Sequence, residues 1–242
     1  MNTKTLTAMC LVSLLTTGLA EGVSADQSNQ TSREGLPGRR VDGGTRRGNC
    51  VLGTKRLTAL IPESNLGLTV AGYPTFFFYM PQTATPKPVE FVLQDENDNQ
   101  LYQTTFTTTG DSGIINLQLP DSATLPPLKT GKKYHWYFSV LCNPQNRADD
   151  VVVEGWTQKV ALNPVLARKL EKASLEERAA LYISENHWHE ALVTLAELRR
   201  DRPDDSAIAE QWAKLLQSVG LDAIAQEPLF KNQNSTQPVA TR

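Results

Sequence analysis

The segment KYHWYFSVLC, Lys133 to Cys142, has the two-residue alternation of a β-strand. Tyr134, Trp136, Phe138, Val140 and Cys142 fall on one face, and His135, Tyr137, Ser139 and Leu141 on the other. A face that apolar belongs in the interior of a sheet structure, and it carries a cysteine there. Upstream, Arg56 to Ile61 stops at Pro62, Leu66 to Val70 at Gly72, and Thr75 to Met80 at Pro81. Val89, Phe91 and Leu93 alternate with Glu90 and Gln94, and Asp95 to Asn99 turns that strand back into Leu101 to Thr108 as a hairpin. Gly110 to Gly113 turns the chain again into Ile114 to Leu119, and Val151 to Val160 is the last strand. About eight strands, punctuated every roughly 8 to 12 residues, predict a mainly β domain over residues 55–162, an immunoglobulin-like or fibronectin-like β-sandwich.

The strand Thr75 to Met80 has aromatics on both faces, Phe76 and Phe78 on one and Phe77 and Tyr79 on the other. A sandwich strand has one core face, so the second must be covered by the C-terminal part, by the leader before the first strand, or by a ligand or partner. Coverage within the chain is the expectation. The period changes at Asn163-Pro164, a helix cap followed by a proline suited to the first turn, and Ser174 with Glu177 has capping-box spacing for a second helix. Trp188, Ala191, Leu192, Leu195 and Leu198 recur at helical intervals. Pro203-Asp204-Asp205 then interrupts, and Ile208, Trp212, Leu215, Leu216 and Val219 form the next stripe, closed by Gly220. Residues 163–229 are therefore a C-terminal helical subdomain, and NHWHEALVTLAELRRDRPDD resembles the second helix and turn of a tetratricopeptide repeat.

Lys4, the apolar run Leu6 to Leu19 and the small residues Val23-Ser24-Ala25 predict a cleaved signal peptide over 1–25, with a run too short and threonine-rich to span a bilayer. The mature chain then carries no transmembrane helix and belongs in the periplasm or outside the cell. Residues 26–34 are polar, without period, and read as disordered, as does the tail 230–242. Two cysteines remain, Cys50 and Cys142. In an exported protein they most simply form one disulfide, closing a loop of roughly 90 residues and stabilising by about 4 kcal/mol in the chain-entropy model; the competing reading is two reduced thiols. Between them and the N-terminus lies a Gly/Arg-rich leader, residues 35–54, with Arg39, Arg40, Arg46 and Arg47 against Asp42. Such arginines suit phosphate, carboxylate or sulfate groups, or simply lie on the domain surface beside the Cys50 anchor.

The formal charge of −2 gives no global reason to expect nucleic acid as a partner. Gly110-Asp111-Ser112-Gly113 has the wording of a trypsin-like nucleophile, but that chemistry needs a histidine upstream, and His135, His187 and His189 all follow Ser112. Asp95, Asn97 and Asn99 match the first ligands of a calcium loop, whose sixth and twelfth positions here are Gln100 and Phe106 in place of glycine and glutamate. His187 and His189, two apart on a helix, point about 200° apart and do not converge on one ion, so His187-Trp188-His189-Glu190 reads as a solvated helix start. No phosphate-binding glycine loop occurs. Neither a metal nor a cofactor is expected.

The segments GLPGRR, GGTRRGNC, YPTFFFYMP, VEFVLQDENDN, KYHWYFSVLC, VEGW, HWHEAL and LAELRR, in that order from Gly35 to Arg200, resemble the domain-of-unknown-function family 928 (DUF928) of cyanobacterial exported proteins. The resemblance covers about Gly35 to Leu229. It implies an exported cyanobacterial envelope protein and assigns no catalytic or ligand residue. The expected function is a non-catalytic binding or protein-interaction module, with Arg39, Arg40, Arg46 and Arg47 and the aromatic strand region docking an envelope protein or an anionic polymer. The alternatives are an envelope-glycan hydrolase using Asp149 or Asp150 with Glu154, and a purely structural envelope component.

Overall fold

A computed structural model describes residues 36–43 and 50–230. The expected signal peptide, the polar N-terminus, Arg46, Arg47 and the tail after Phe230 lie outside the described residues. Eight strands form two sheets: β1 (Thr58–Ala59), β2 (Leu66–Thr69), β3 (Thr75–Met80), β4 (Pro88–Gln94), β5 (Gln100–Thr107), β6 (Gly113–Gln118), β7 (Lys133–Val140) and β8 (Val151–Lys159). One sheet has the order β1-β3-β6 and the other β2-β8-β7-β4-β5. Strands pair antiparallel throughout, except that β2 runs parallel to β8.

The two sheets pack face to face through the aromatics that alternation assigns to their inner sides. Phe78 of β3 stacks on Phe138 of β7 with ring centroids 4.0 Å apart, and Phe76 meets Phe91 of β4 at 4.9 Å. Trp136 is fully buried in the same core. Gly155 of β8 makes room for it, since a Cβ there would lie 2.6 Å from the indole. The turns follow from local side-chain chemistry. Asp95 Oδ1 accepts from the backbone N–H of Asn97 and Asn99 at 2.8 and 3.0 Å, and Asp98 takes the left-handed conformation, so the acidic stretch is a hairpin turn. The first strand is shorter than Arg56 to Ile61. Pro62 and the bend at Ile61, whose N–H bonds Ala59 O at 3.0 Å, cut it to Thr58–Ala59.

Four helices follow, α1 (Pro164–Lys172), α2 (Leu175–Ser184), α3 (Trp188–Asp201) and α4 (Ser206–Gln217). Asn163 caps α1 by accepting from Val165 N, the Ser174–Glu177 capping box starts α2, and Asp205 caps α4. Their apolar stripes build a second core with the other face of the three-stranded sheet. Phe77, Tyr79 and Ile114 join Leu60, Trp188, Leu192, Leu195 and Trp212 there, with Phe77 edge-on to Trp212 at 6.3 Å. The second aromatic face of β3 is therefore covered from within the chain.

The described part of the leader runs across the edges of both sheets. Arg39 exchanges backbone hydrogen bonds with Glu154 of β8 at 3.1 and 2.9 Å, and Val41 bridges to Thr58 of β1. At the other terminus Leu229 bridges Ile114 of β6. Cys50 and Cys142 form a disulfide with Cα atoms 5.4 Å apart, which joins the segment before β1 to the end of β7.

Candidate functional site: the outer face of the five-stranded sheet

The second face of β7 is polar and partly open. Register places His135 beside Trp156 of β8 and Tyr137 beside Glu154. The His135 ring lies flat on Trp156, centroids 4.3 Å apart and planes 4° from parallel, and Tyr137 leans on its other side at 4.4 Å. The Tyr137 hydroxyl is 3.0 Å from His135 Nδ1, and Nε2 lies 3.3 Å from Glu154 Oε2. With the phenol donating to Nδ1, the imidazole proton sits on Nε2 and faces the carboxylate. The approach is off the axis of a good hydrogen bond, so it is chiefly an electrostatic contact. That contact with His135 holds the Glu154 carboxyl below its usual range, and burial pushes the Tyr137 phenol up.

The leader completes this row. Pro37 O accepts from Trp156 Nε1 at 2.7 Å, and the Arg39 guanidinium, 53% exposed, stands 3.9 Å from Glu154 Oε1. A second cluster occupies the neighbouring strands. Arg147, 57% exposed, donates to Glu90 Oε1 at 2.6 Å and also to Asp150, while Gln103 of β5 donates to Glu90 Oε2 at 2.6 Å. Asp149 accepts from Asn143 at 3.1 Å. The face thus offers aromatic surface, donors and acceptors together, with each charge balanced by a neighbour.

Arg40 has a different place from Arg39. Its side chain, 16% exposed, donates to Val219 O at 2.6 Å and Ile61 O at 3.1 Å and pairs with Glu63. It satisfies a carbonyl just beyond the end of α4, so its hydrogen bonds are spent within the chain.

The sequence His187-Trp188-His189-Glu190 is not a solvated helix start. Trp188 and both histidines are buried, because the first turn of α3 is wedged against both sheets. Trp188 Nε1 donates to Leu60 O at 2.7 Å. His189 Nδ1 lies 3.0 Å from Thr75 O of β3, an acceptor only, so Nδ1 carries the proton and Nε2 accepts from the Thr157 hydroxyl of β8 at 3.1 Å. Glu190 Oε1 accepts from Thr69 Oγ1, Val70 N and Ala71 N at 2.5, 2.9 and 3.1 Å. Gly67 of β2 permits the approach, since a Cβ would lie 2.5 Å from His189 Nε2. Burial holds the His189 imidazole below its ordinary value.

Among the described residues no group of three or more His, Cys, Asp or Glu side chains is placed to hold a metal ion, and no helix is long and apolar enough to cross a membrane. Sequence reading singled out Arg39 but passed over His135, Tyr137, Trp156, Glu90 and Arg147. The signal for the first two was present in the polar alternate positions of KYHWYFSVLC; the Arg147 cluster had none, because it joins residues 57 apart.

No curated protein matches the chain. The family model described as Domain of Unknown Function (DUF928) matches residues 41–229, which hold both sheets, all four helices and the His135, Tyr137 and Trp156 rings. The chain is therefore a member of the DUF928 family.

Proposed function

We propose that this protein is an exported, non-catalytic binding module of the cell envelope that engages an envelope protein or an anionic polymer through the outer face of its five-stranded sheet. The observation that carries this reading is the Tyr137–His135–Trp156 ring row, with Tyr137 and Trp156 partly exposed on either side of buried His135 and the exposed Arg39 guanidinium beside it. Flat aromatic surface beside paired charges supplies contact area and both senses of hydrogen bond at low conformational cost. The Cys50–Cys142 bond suits an oxidising compartment.

Several features favour binding over glycan hydrolysis. A glycosidase needs one carboxyl held protonated, with a raised pKa. Here the contact with His135 lowers that of Glu154, Asp150 is paired with Arg147, and Asp149 accepts from Asn143. The strand order supports an immunoglobulin-like sandwich, with β1-β3-β6 matching A-B-E and β8-β7-β4-β5 matching G-F-C-C′ of the variable type. The α3–α4 pair, with its Trp188 and Pro203 positions, supports the tetratricopeptide-like hairpin.

The test is cross-linking and recovery of partners from the native compartment, comparing the wild-type chain with an Arg39→Ala/Trp156→Ala variant. Loss of the recovered protein or glycan from the variant is expected. Equal recovery from both removes the outer face from the account, and hydrolysis of an envelope glycan that Glu154→Gln abolishes replaces it with the enzymatic reading.

A further inference from the structure

We propose that the protein pairs with a second copy of itself through β5, edge to edge, to form a two-fold dimer with one continuous sheet. The observation is the unequal treatment of the four sheet edges. The β1 edge is covered by the leader through Val41 and Thr58. The β6 edge is covered by the C-terminal segment, with Ile114 N donating to Pro228 O at 2.7 Å and Phe230 N to Ile114 O at 2.8 Å. At the third edge, β2 is four residues long and abuts α3 where Gly67 meets His189, and the N–H groups of Val70 and Ala71 just after it donate to Glu190. The fourth edge, β5, is eight residues long, and among the described residues nothing pairs with it on its open side.

The backbone groups on that side can be assigned. Thr108 N donates to Lys87 O at 2.9 Å, and the register continues through Phe106 beside Val89 and Thr104 beside Phe91. Antiparallel pairing then turns the even-numbered residues toward β4 and leaves Gln103, Thr105 and Thr107 with their N–H and C=O groups outward. An open edge of this length is ordinarily protected by lysine, proline or an inward charge. From Gln100 to Thr109 the sequence is QLYQTTFTTT, without a charged residue or a proline and rich in strand-forming side chains.

The same neutrality identifies the occupant as another copy of this chain. A two-fold axis sets each residue near it against its own counterpart, so any charge there would meet its like; β5 has none. With the axis at Thr105, Gln103 of one copy lies opposite Thr107 of the other. The acidic turns Asp95 to Asp98 then fall at opposite ends of the shared ladder, well apart. An axis normal to the sheet also puts both outer faces on one side, doubling the binding face proposed above without depending on it.

Sedimentation equilibrium of the processed full chain tests this, alongside Thr105→Pro, which removes an outward N–H and spares the ladder to β4, and Gln103→Lys/Thr107→Lys, which sets lysines against each other across the axis. The expected result is a concentration-dependent dimer for the wild type and monomers for both variants, whose thermal unfolding midpoints no longer rise with protein concentration as the wild type's does and match it at high dilution. Amide exchange at Gln103, Thr105 and Thr107 should slow as wild-type concentration rises. If the proline variant fails to fold, the double-lysine variant, which keeps every backbone bond, decides the matter. A wild type monomeric up to millimolar concentration overturns the proposal, as does a dimer that the double-lysine variant leaves intact.

Discussion

Strands β3 and β7 face each other across the first core, and both alternate aromatics on their two sides, yet their second faces have opposite fates. Phe77 and Tyr79 of β3 are buried beneath α3 and α4, whereas on the second face of β7 Tyr137 is partly exposed and His135 is buried only among neighbouring side chains, beside the leader. The difference lies in the chemistry of the second face. Two rings with one hydroxyl between them gain more from burial than they lose, whereas an imidazole, a phenol and a serine hydroxyl would each need a polar partner beneath packed helices. The helices accordingly pack on β3 and leave β7 to carry polar contacts. A strand's two faces can thus belong to stability and to binding separately.

The largest effect that tests this contrast comes from truncating both faces of β3. Phe78→Ala and Phe77→Ala should each cost about 3–5 kcal/mol in urea unfolding, because both rings lie in filled cores. Tyr137→Ala on the open face of β7 should cost about 1 kcal/mol. A Phe77→Ala cost as small as the Tyr137→Ala one would dissolve the second core. Next in size is the covalent tie at the end of β7: Cys142→Ser should lower stability by about 2–5 kcal/mol, read as the same unfolding midpoint with and without reductant in the variant alone.

Buried His189 and the partly exposed Glu154 separate by pH. The His189 pKa is depressed by burial, so an unfolded chain, titrating at the ordinary 6.5, binds the proton first as pH falls. Its contribution to stability is complete above that pH and declines below it by up to about 1.4 kcal/mol per unit until the folded form also titrates. His189→Gln should remove that part of the slope from the stability–pH curve, and an unchanged slope would count against the wedge described at α3. Glu154, depressed from 4.5, acts in a lower window: its contribution is present above that value and disappears as pH falls through the folded pKa, by less than about 1 kcal/mol. Glu154→Gln should flatten the curve only there.

The smallest contrast is between the leader arginines. Arg40→Ala should cost about 1–3 kcal/mol, since two backbone carbonyls lose a charged donor, while Arg39→Ala should leave the thermal midpoint unmoved and be felt only in partner recovery. Equal melting losses for the two would merge their roles.

Much of this organisation was legible in the residues. Alternation located β3 at Thr75–Met80 and the other strands within a few positions, and Asn163, Ser174, Asp205 and Gly220 marked helix ends by local hydrogen bonding. The helix start at His187 was misread for a physical reason. Histidine and glutamate are polar and occupy a first turn, where solvent normally satisfies them, and nothing nearby in sequence shows that Thr75 O of β3, Thr157 of β8 and the Val70 and Ala71 amides just after β2 come together to do so. Arg39 and Arg40 are adjacent and identical in type, and only their separate destinations, Glu154 and the carbonyl of Val219, distinguish them.

By itself the sequence determined what is local: which positions alternate, where turns and caps fall, that two cysteines remain after the expected signal, and that β3 has a second face needing cover. Those features follow from side-chain periodicity and from hydrogen bonds spanning a few residues. The tertiary structure decided what depends on distant pairing: that helices cover β3, that the rings of β7 and β8 form a row beside Arg39, and that β5 is left as an edge. Each of these is set by which surfaces bury one another across a hundred residues of chain, and burial and polar satisfaction act only on groups that the fold has brought together.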